Sequence, residues 1–339
     1  MITDVLNEEF VAKLAVVGVG GQGCNLVNRL YTQGIKSART MLINTDAKHL
    51  SIVNADKKIL IGKNITHGLG AGGFPEVAEK CADASRGELS SMLDGYDMVF
   101  IAAGMGGGTG GGAAPVVADI AKEQGALVVS FVTYPFAIER SRKSKADWSL
   151  QQLSRSSDTT IVIENDRLMS YAPNLPMERA FELIDNIAVN AVKGIADTIM
   201  LPSLINLDFA DLKNVVRNTG TAVISLGYGR GTDRVEQAVK STRSHPLLSV
   251  DYEGAKGGLI QVVGGTSLTI SEATQIGEGV TEGLAGNANV IFGARMVPEL
   301  RDEIRVMSVV TGVKAKFGEK RDEQEKATAL NIESIGKLY

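Results

Sequence analysis

Two cysteines are all that 339 residues contain, Cys24 and Cys81, and neither lies in a CxxC or other metal-ligand spacing. That excludes a disulfide framework and a cysteine-built metal site, and it fits a reducing cytoplasm. Long apolar runs are also missing. No stretch approaches the length needed to span a bilayer, and the opening MITDVLNEEF is acidic without an apolar signal core, so neither direct membrane insertion nor export is expected. With a net charge of −4 there is no broad basic surface, which argues against nucleic acid held by bulk charge. No G-x-x-x-x-G-K-[ST] occurs, because Gly62-Lys63 is followed by Asn64 and lacks the earlier glycine, so a Walker-type NTPase is excluded. Solenoid repeats are absent as well.

What the chain does have is a hydrophobic content of 44%, enough for a substantial core, and a length that suggests two domains. Its 38 glycines are heavily clustered. Leu14 to Val17 read as a buried strand that enters a first glycine turn, with CNLVNRLYTQ as the following helix. Gly18, Gly20 and Gly23 fit G-x-G-x-x-G, and the next strand, TMLIN, leads to Asp46, near where a ribose-binding acid would fall, so a nicotinamide or flavin enzyme is a rival reading. After the strand KKILIG comes GLGAGG, Gly68 to Gly73, and then a helix over FPEVAEKCADASRGELSSML. The strand DMVFIAAG opens into the densest cluster, Gly104 to Gly112, ahead of the helix AAPVVADIAKEQ. Glycines between a buried strand and a helix let backbone N–H groups converge on an anion, helped by the helix N-terminus. Three such loops on one sheet edge could be spanned by a single nucleotide.

The strands ALVVSFVTYPF and TTIVIEND continue the pattern, with the basic helix SRKSKADWSLQQLSRSS between them. A doubly wound α/β domain of about six mostly parallel strands is expected over residues 1–176. A long helix then runs from Met177 to about Leu204, with apolar positions Phe181, Ile184, Ala188, Ala191, Ile195 and Ile199 on one side and Pro202 as its stop. Residues 177–205 form this central helix and its connecting loop. Residues 206–314 read as a second, α+β domain without a catalytic His or Cys constellation. Asp208 and Asp211, three apart at its first helix start, fit a capping box. Residues 315–339 are a charged, solvated tail that ends in the apolar ALNIESIGKLY.

AAGMGGGTGGGAAP resembles the G-G-G-T-G-[ST]-G signature of the tubulin and FtsZ superfamily. GVGGQGCNLVNRL, INTDAKHL, GLGAGG, YPF with Glu139, IVIENDRL, AFELIDN, NLDFADLK and IFGARMVPELRDEIRV resemble the same family in the same order over about residues 13–314. The chain therefore looks like an FtsZ-type cell-division GTPase, more archaeal than bacterial in character. The resemblance implies GTP/GDP and Mg²⁺ as ligands, with the metal carried by the phosphates and no protein ligand assigned. It implies that Gly20, Gly21, Gln22, Gly23 and Asn25 take the α- and β-phosphates, while Ala71, Gly72 and Gly73 approach the γ-phosphate. Gly104, Gly106, Gly107, Gly108, Thr109 and Gly110 would cradle the phosphates from the other side, and Asp46 is counted with the same site. Pro135 and Glu139 would hold the ribose, with Lys143 near it. Asn165 and Asp185 would read guanine, with Phe181 stacked on the base. Gly111 stands where Thr or Ser is usual, Gln22 and Glu164 replace a glycine and a proline, and Lys143 replaces an arginine.

The same resemblance assigns Asn206, Asp208 and Asp211 to hydrolysis. Asp185 and Asp208 are 23 residues apart, roughly 35 Å if helical, so these groups are expected to act on a neighbour's GTP in a head-to-tail homopolymer. A membrane-anchor adaptor on the tail and a place at the mid-cell division ring are the remaining expectations, beside an alternative in which the chain is a weakly hydrolysing scaffold.

Overall fold

The computed structural model describes residues 12–313 apart from 168–173, 175, 202, 206–207, 218 and 245–253. Among them, ten strands form one sheet in the order β3-β2-β1-β4-β5-β6-β7-β10-β8-β9. The first six are β1 Leu14–Val19, β2 Arg39–Asn44, β3 Lys57–Leu60, β4 Met98–Gly104, β5 Leu127–Tyr134 and β6 Thr159–Glu164. All six run parallel, as expected from their alternation with helices. β1 and β5 are buried along their whole length, because helices cover both faces of a parallel sheet. Those helices include α1 Gly20–Thr32, α2 Ala47–Ile52, the single turn α3 Lys63–Thr66, α4 Pro75–Ala84, α5 Arg86–Leu93, α6 Gly108–Glu123 and α7 Arg140–Ser156.

Two boundaries differ from the sequence reading. The helix expected from Phe74 to Leu93 is broken at Ser85, whose hydroxyl accepts the Gly62 N–H at 3.3 Å, a long-range bond invisible to local periodicity. α1 and α6 also start inside the glycine clusters and not after them, so half of each cluster is a first helical turn.

Past β6 the chain forms α8, Met177–Met200. It is followed by α9 Phe209–Val216, β7 Gly220–Arg230, α10 Arg234–Arg243, β8 Gly257–Gly264, α11 Ile270–Thr281, β9 Asn289–Met296 and β10 Glu303–Thr311. Among the described residues β7 joins the parallel half through three residue pairs, Thr159–Gly220 to Ile161–Ala222. α8 reinforces this seam. Its Ile184, Val189, Val192 and Ile195 share one buried cluster with Phe100 and Phe131 of the first half and with Leu259, Met307 and Val309 of the second. Gly194 permits the approach, since a Cβ there would lie 2.6 Å from the Met307 sulfur.

α1 packs on β4 with no room for a side chain: a Cβ at Gly23 would stand 2.0 Å from the Ala102 carbonyl oxygen. We expect Gly23→Ala to destabilise the fold by about 3 kcal/mol or more, because backbone must move to admit the methyl. Urea unfolding of the variant against the parent measures this.

Candidate functional site

The three glycine loops meet. β1 and β4 are adjacent strands, so the turns that follow them emerge side by side. A Cβ at Gly20, which sits at φ +75°, would lie 2.7 Å from the Gly110 nitrogen, and one at Gly104 would lie 2.6 Å from Gln22 Oε1. The third loop reaches the second in turn. A Cβ at Gly108 would meet the Phe74 nitrogen at 2.9 Å and the Gly73 nitrogen at 3.1 Å. Thr109 Oγ1 lies 2.7 Å from Thr45 Oγ1, and the loop after α3 is tied to the β2–α2 turn where Gly70 N–H donates to the Thr45 carbonyl. These contacts place the N-termini of α1 and α6 at one edge of the parallel strands, where their free N–H groups favour an anion.

Not every glycine serves packing. Gly21 has nothing within 4 Å of where its Cβ would stand. It lines an open cleft of ≈ 970 Å³ together with Gln22, Asn25, Arg29, His49, Phe181 and Asp185. Gly21, Asn25, Arg29 and Thr32 follow one face of α1 at helical spacing, a signal that could have added Arg29 to the expected site.

Arg29 is the functional candidate that the sequence reading missed. Its Nε donates to Asp185 Oδ2 at 3.2 Å, and its other arm reaches Glu182 at 3.8 Å. Asp185 is buried, and burial pushes its carboxyl up to about 6 against the pull of Arg29, with Glu182 adding to the rise. Phe181, half-exposed one turn earlier on α8, meets Phe136 edge-on with centroids 6.0 Å apart. The segment after β5 extends this wall. Phe136 N–H donates to Glu139 Oε1 at 3.1 Å, Glu139 precedes α7, and Lys143 lies 5.8 Å from the Tyr134 ring centre. Pro135 is buried between these groups. Asn165 N–H donates to the Tyr134 carbonyl, while its buried Oδ1 has no partner among the described residues. That acceptor suits a donor group on a ligand. Lys145, also not anticipated, donates to the Gly73 carbonyl at 2.6 Å and sits over the Phe74 ring. It fastens the second glycine loop to α7.

Asp46 uses its carboxylate to cap α2, accepting the His49 N–H at 2.9 Å. The absence of a hydroxyl at Gly111 has a reason: a Cβ there would lie 2.4 Å from Ser149 Oγ, so α7 already fills the space. Among the described residues no group of three or more His, Cys, Asp or Glu could hold a metal ion.

Asp208 and Asp211 belong elsewhere. Both are exposed, at the start of α9, and Asp208 Oδ1 accepts the Asp211 N–H at 2.9 Å as an N-cap. Asn206 lies outside the described residues. The ruler expected from the sequence needs correction. α8 stops at Met200, so helix covers only 15 of the 23 residues from Asp185 to Asp208, about 22 Å. The link after it crosses to the far edge of the sheet. Leu204 and Ile205 donate to the Ala294 carbonyl of the edge strand β9, and α9 packs against β8 and β9. β8 is five strand spacings from β4, about 24 Å.

Residues 13–173 match the GTPase domain of the tubulin/FtsZ family, and residues 220–314 match the C-terminal domain of the FtsZ family. The chain is 53% identical over 318 residues to cell division protein FtsZ 2 of Methanocaldococcus jannaschii, covering 92% of this chain and 83% of that protein. The chain belongs to the FtsZ family. This FtsZ-family chain is also 48% identical to cell division protein FtsZ 1 of Thermococcus kodakarensis, over 94% of this chain and 86% of that one. Among solved structures it is similar to the empty FtsZ dimer of M. jannaschii, with a TM-score of 0.86, 43% identity and coverage of 94% of this chain and 96% of that chain. The α/β fold expected from the sequence is thus the FtsZ fold. A GTPase domain of this family implies guanine-nucleotide binding, and the dinucleotide oxidoreductase reading falls.

Two predictions follow from the cleft. Gly21→Ala should leave unfolding stability unchanged or slightly raised, as a methyl fits a helical position with open space, yet it should weaken nucleotide binding by intruding on the cleft; calorimetry and titration with GDP separate the two effects. Carbon-detected carboxyl NMR of the free protein should show Asp185 titrating near pH 6, and Arg29→Ala should move that midpoint higher. Because the folded form holds this proton after the unfolded chain has lost it, the group's contribution to stability falls as pH rises from about 4 to 6.

Proposed function

We propose that this chain binds GTP in the cleft beside the glycine loops, polymerises head-to-tail, and hydrolyses the nucleotide between subunits as part of the cell-division machinery. The observation that carries the reading is the separation of the two sets of residues: the glycine loops stand on β1 and β4, and the exposed aspartates stand beyond the far half of the same sheet. In this reading a subunit does not bring its own Asp211 to its own γ-phosphate. A neighbour stacked in the same orientation does, and a heterologous contact of that kind builds an open filament. Support for self-association comes from the solved FtsZ dimer that this chain resembles.

In this reading Gly20 to Gly23 and Gly104 to Gly110 offer backbone donors to the phosphates, and Ala71 to Gly73 stand at the γ-phosphate. Pro135, Glu139 and Lys143 face the ribose. Asp185, held by Arg29, accepts from the guanine edge, Asn165 offers its unpartnered oxygen, and Phe181 covers the base. Mg²⁺ would be carried by the phosphates, with no protein ligand assigned, and would supply charge neutralisation there. From the neighbouring subunit, Asp211 polarises the attacking water. Its carboxylate makes no hydrogen bond or ion pair among the described residues, whereas one oxygen of Asp208 is committed to the cap. Asp208 orients the water with its remaining oxygen, and Asn206 assists. The tail, 315–339, lies outside the described residues; in this reading its apolar end takes a membrane-anchor adaptor that brings the filament to the division site.

GTP turnover per subunit should rise steeply with protein concentration, in step with light scattering, and remain negligible in dilute monomer. Asp211→Ala should keep GTP affinity while losing about 10²-fold or more in turnover. An unchanged rate would make the chain a scaffold. Removal of Ala329 to Tyr339 should abolish membrane recruitment in cells without altering turnover in solution.

A further inference from the structure

A chain of hydrogen bonds begins at the end of β2 and finishes in the cleft. Asn44 is 2% exposed, and its Oδ1 accepts two backbone N–H groups, those of Thr45 at 2.9 Å and Asp46 at 3.3 Å. A flipped amide would set NH₂ against both donors, so backbone geometry decides which way this side chain points. Its Nδ2 therefore faces His49 Nδ1 as a donor, at 3.3 Å. Nδ1 must be the acceptor, and the single proton of the neutral ring falls on Nε2. Nε2–H then donates to Asn25 Oδ1 at 2.9 Å. Bonds at both ring nitrogens hold the imidazole, and the carboxylate of Asp46 fixes the His49 backbone N–H in the first turn of α2. What is left at the end of the chain is Asn25 Nδ2, with no protein acceptor among the described residues. Asn25 and His49 both line the cleft that also contains Asp185 and Phe181.

From this we infer that His49 is a positioning residue for the nucleotide: it locks the Asn25 amide so that its nitrogen presents a donor to an acceptor atom of the bound nucleotide. An unrestrained asparagine would offer oxygen or nitrogen with similar ease. Here the choice is made three groups away, by two main-chain N–H groups of the β2–α2 turn. The consequence is a site preorganised toward an acceptor, which lowers the ordering cost of binding. The inference rests on the guanine-nucleotide reading of the cleft.

A double-mutant cycle tests it, using the full chain and GDP titrated calorimetrically into the parent, Asn25→Ala, His49→Ala and the double variant. Each single change should weaken GDP about three- to tenfold, the scale of one hydrogen bond, and the double variant should be no weaker than the worse single. Losses that add, or a His49→Ala protein that binds as the parent does, overturn the positioning role while leaving the nucleotide reading intact. A parent chain that fails to bind GDP overturns both. ¹⁵N NMR of the parent's imidazole needs no variant to fold: the neutral Nε2–H tautomer is expected at His49, and the Nδ1–H tautomer would refute the chain of bonds.

Discussion

The architecture depends on backbone meeting backbone where the β1–α1 turn lies against β4 and the start of α6. Gly23 against the Ala102 carbonyl and Gly20 against Gly110 bring two helix N-termini to one strand edge without an intervening side chain. Any residue larger than glycine would force these elements apart by the width of a methyl group, and the loops could no longer face one small anion. The same closeness makes Gln22 a lid on Gly104 and lets Ala71 and Gly73 touch Gly108. The candidate site is therefore a product of core packing and not a loop feature added to a finished domain.

A second constraint comes from α8, which belongs to both halves of one continuous sheet. Its N-terminal turns supply Phe181 and Asp185 to the cleft, while its later turns are buried against Met307 and Val309. Among the described residues β6 and β7 share three residue pairs, and α8 packs across this seam. Burial makes the acid that faces the cleft costly to keep ionised, and Arg29 is its counter-ion.

Much of this was legible from residue order. Strand-and-helix alternation identified the six parallel strands, and the density of glycine after β1 and β4 marked the edge where the N-termini of α1 and α6 meet. The long apolar stripe of α8 and the capping geometry of Asp208 were legible too. What periodicity could not carry was anything settled by distant partners. Ser85 breaks a helix because Gly62 needs an acceptor. Arg29 matters because a carboxylate 156 positions later lies beside it. The link after Met200 leaves the helix to reach Ala294, so the position of α9 relative to the cleft follows from strand order and not from helical rise alone. Gly111 looked like a departure from the family pattern until Ser149 proved to fill its space.

The division among the glycines bears on how such a chain would change over generations. Gly23, Gly108, Gly110 and Gly112 are pinned by neighbouring backbone, whereas Gly21 meets only open space. A descendant freed from its chemistry would keep the dense glycine signature for as long as it kept its shape, and Gly21 would drift first. The most conspicuous stretch of the sequence is thus a record of architecture, and the inconspicuous neighbour is the better witness to use.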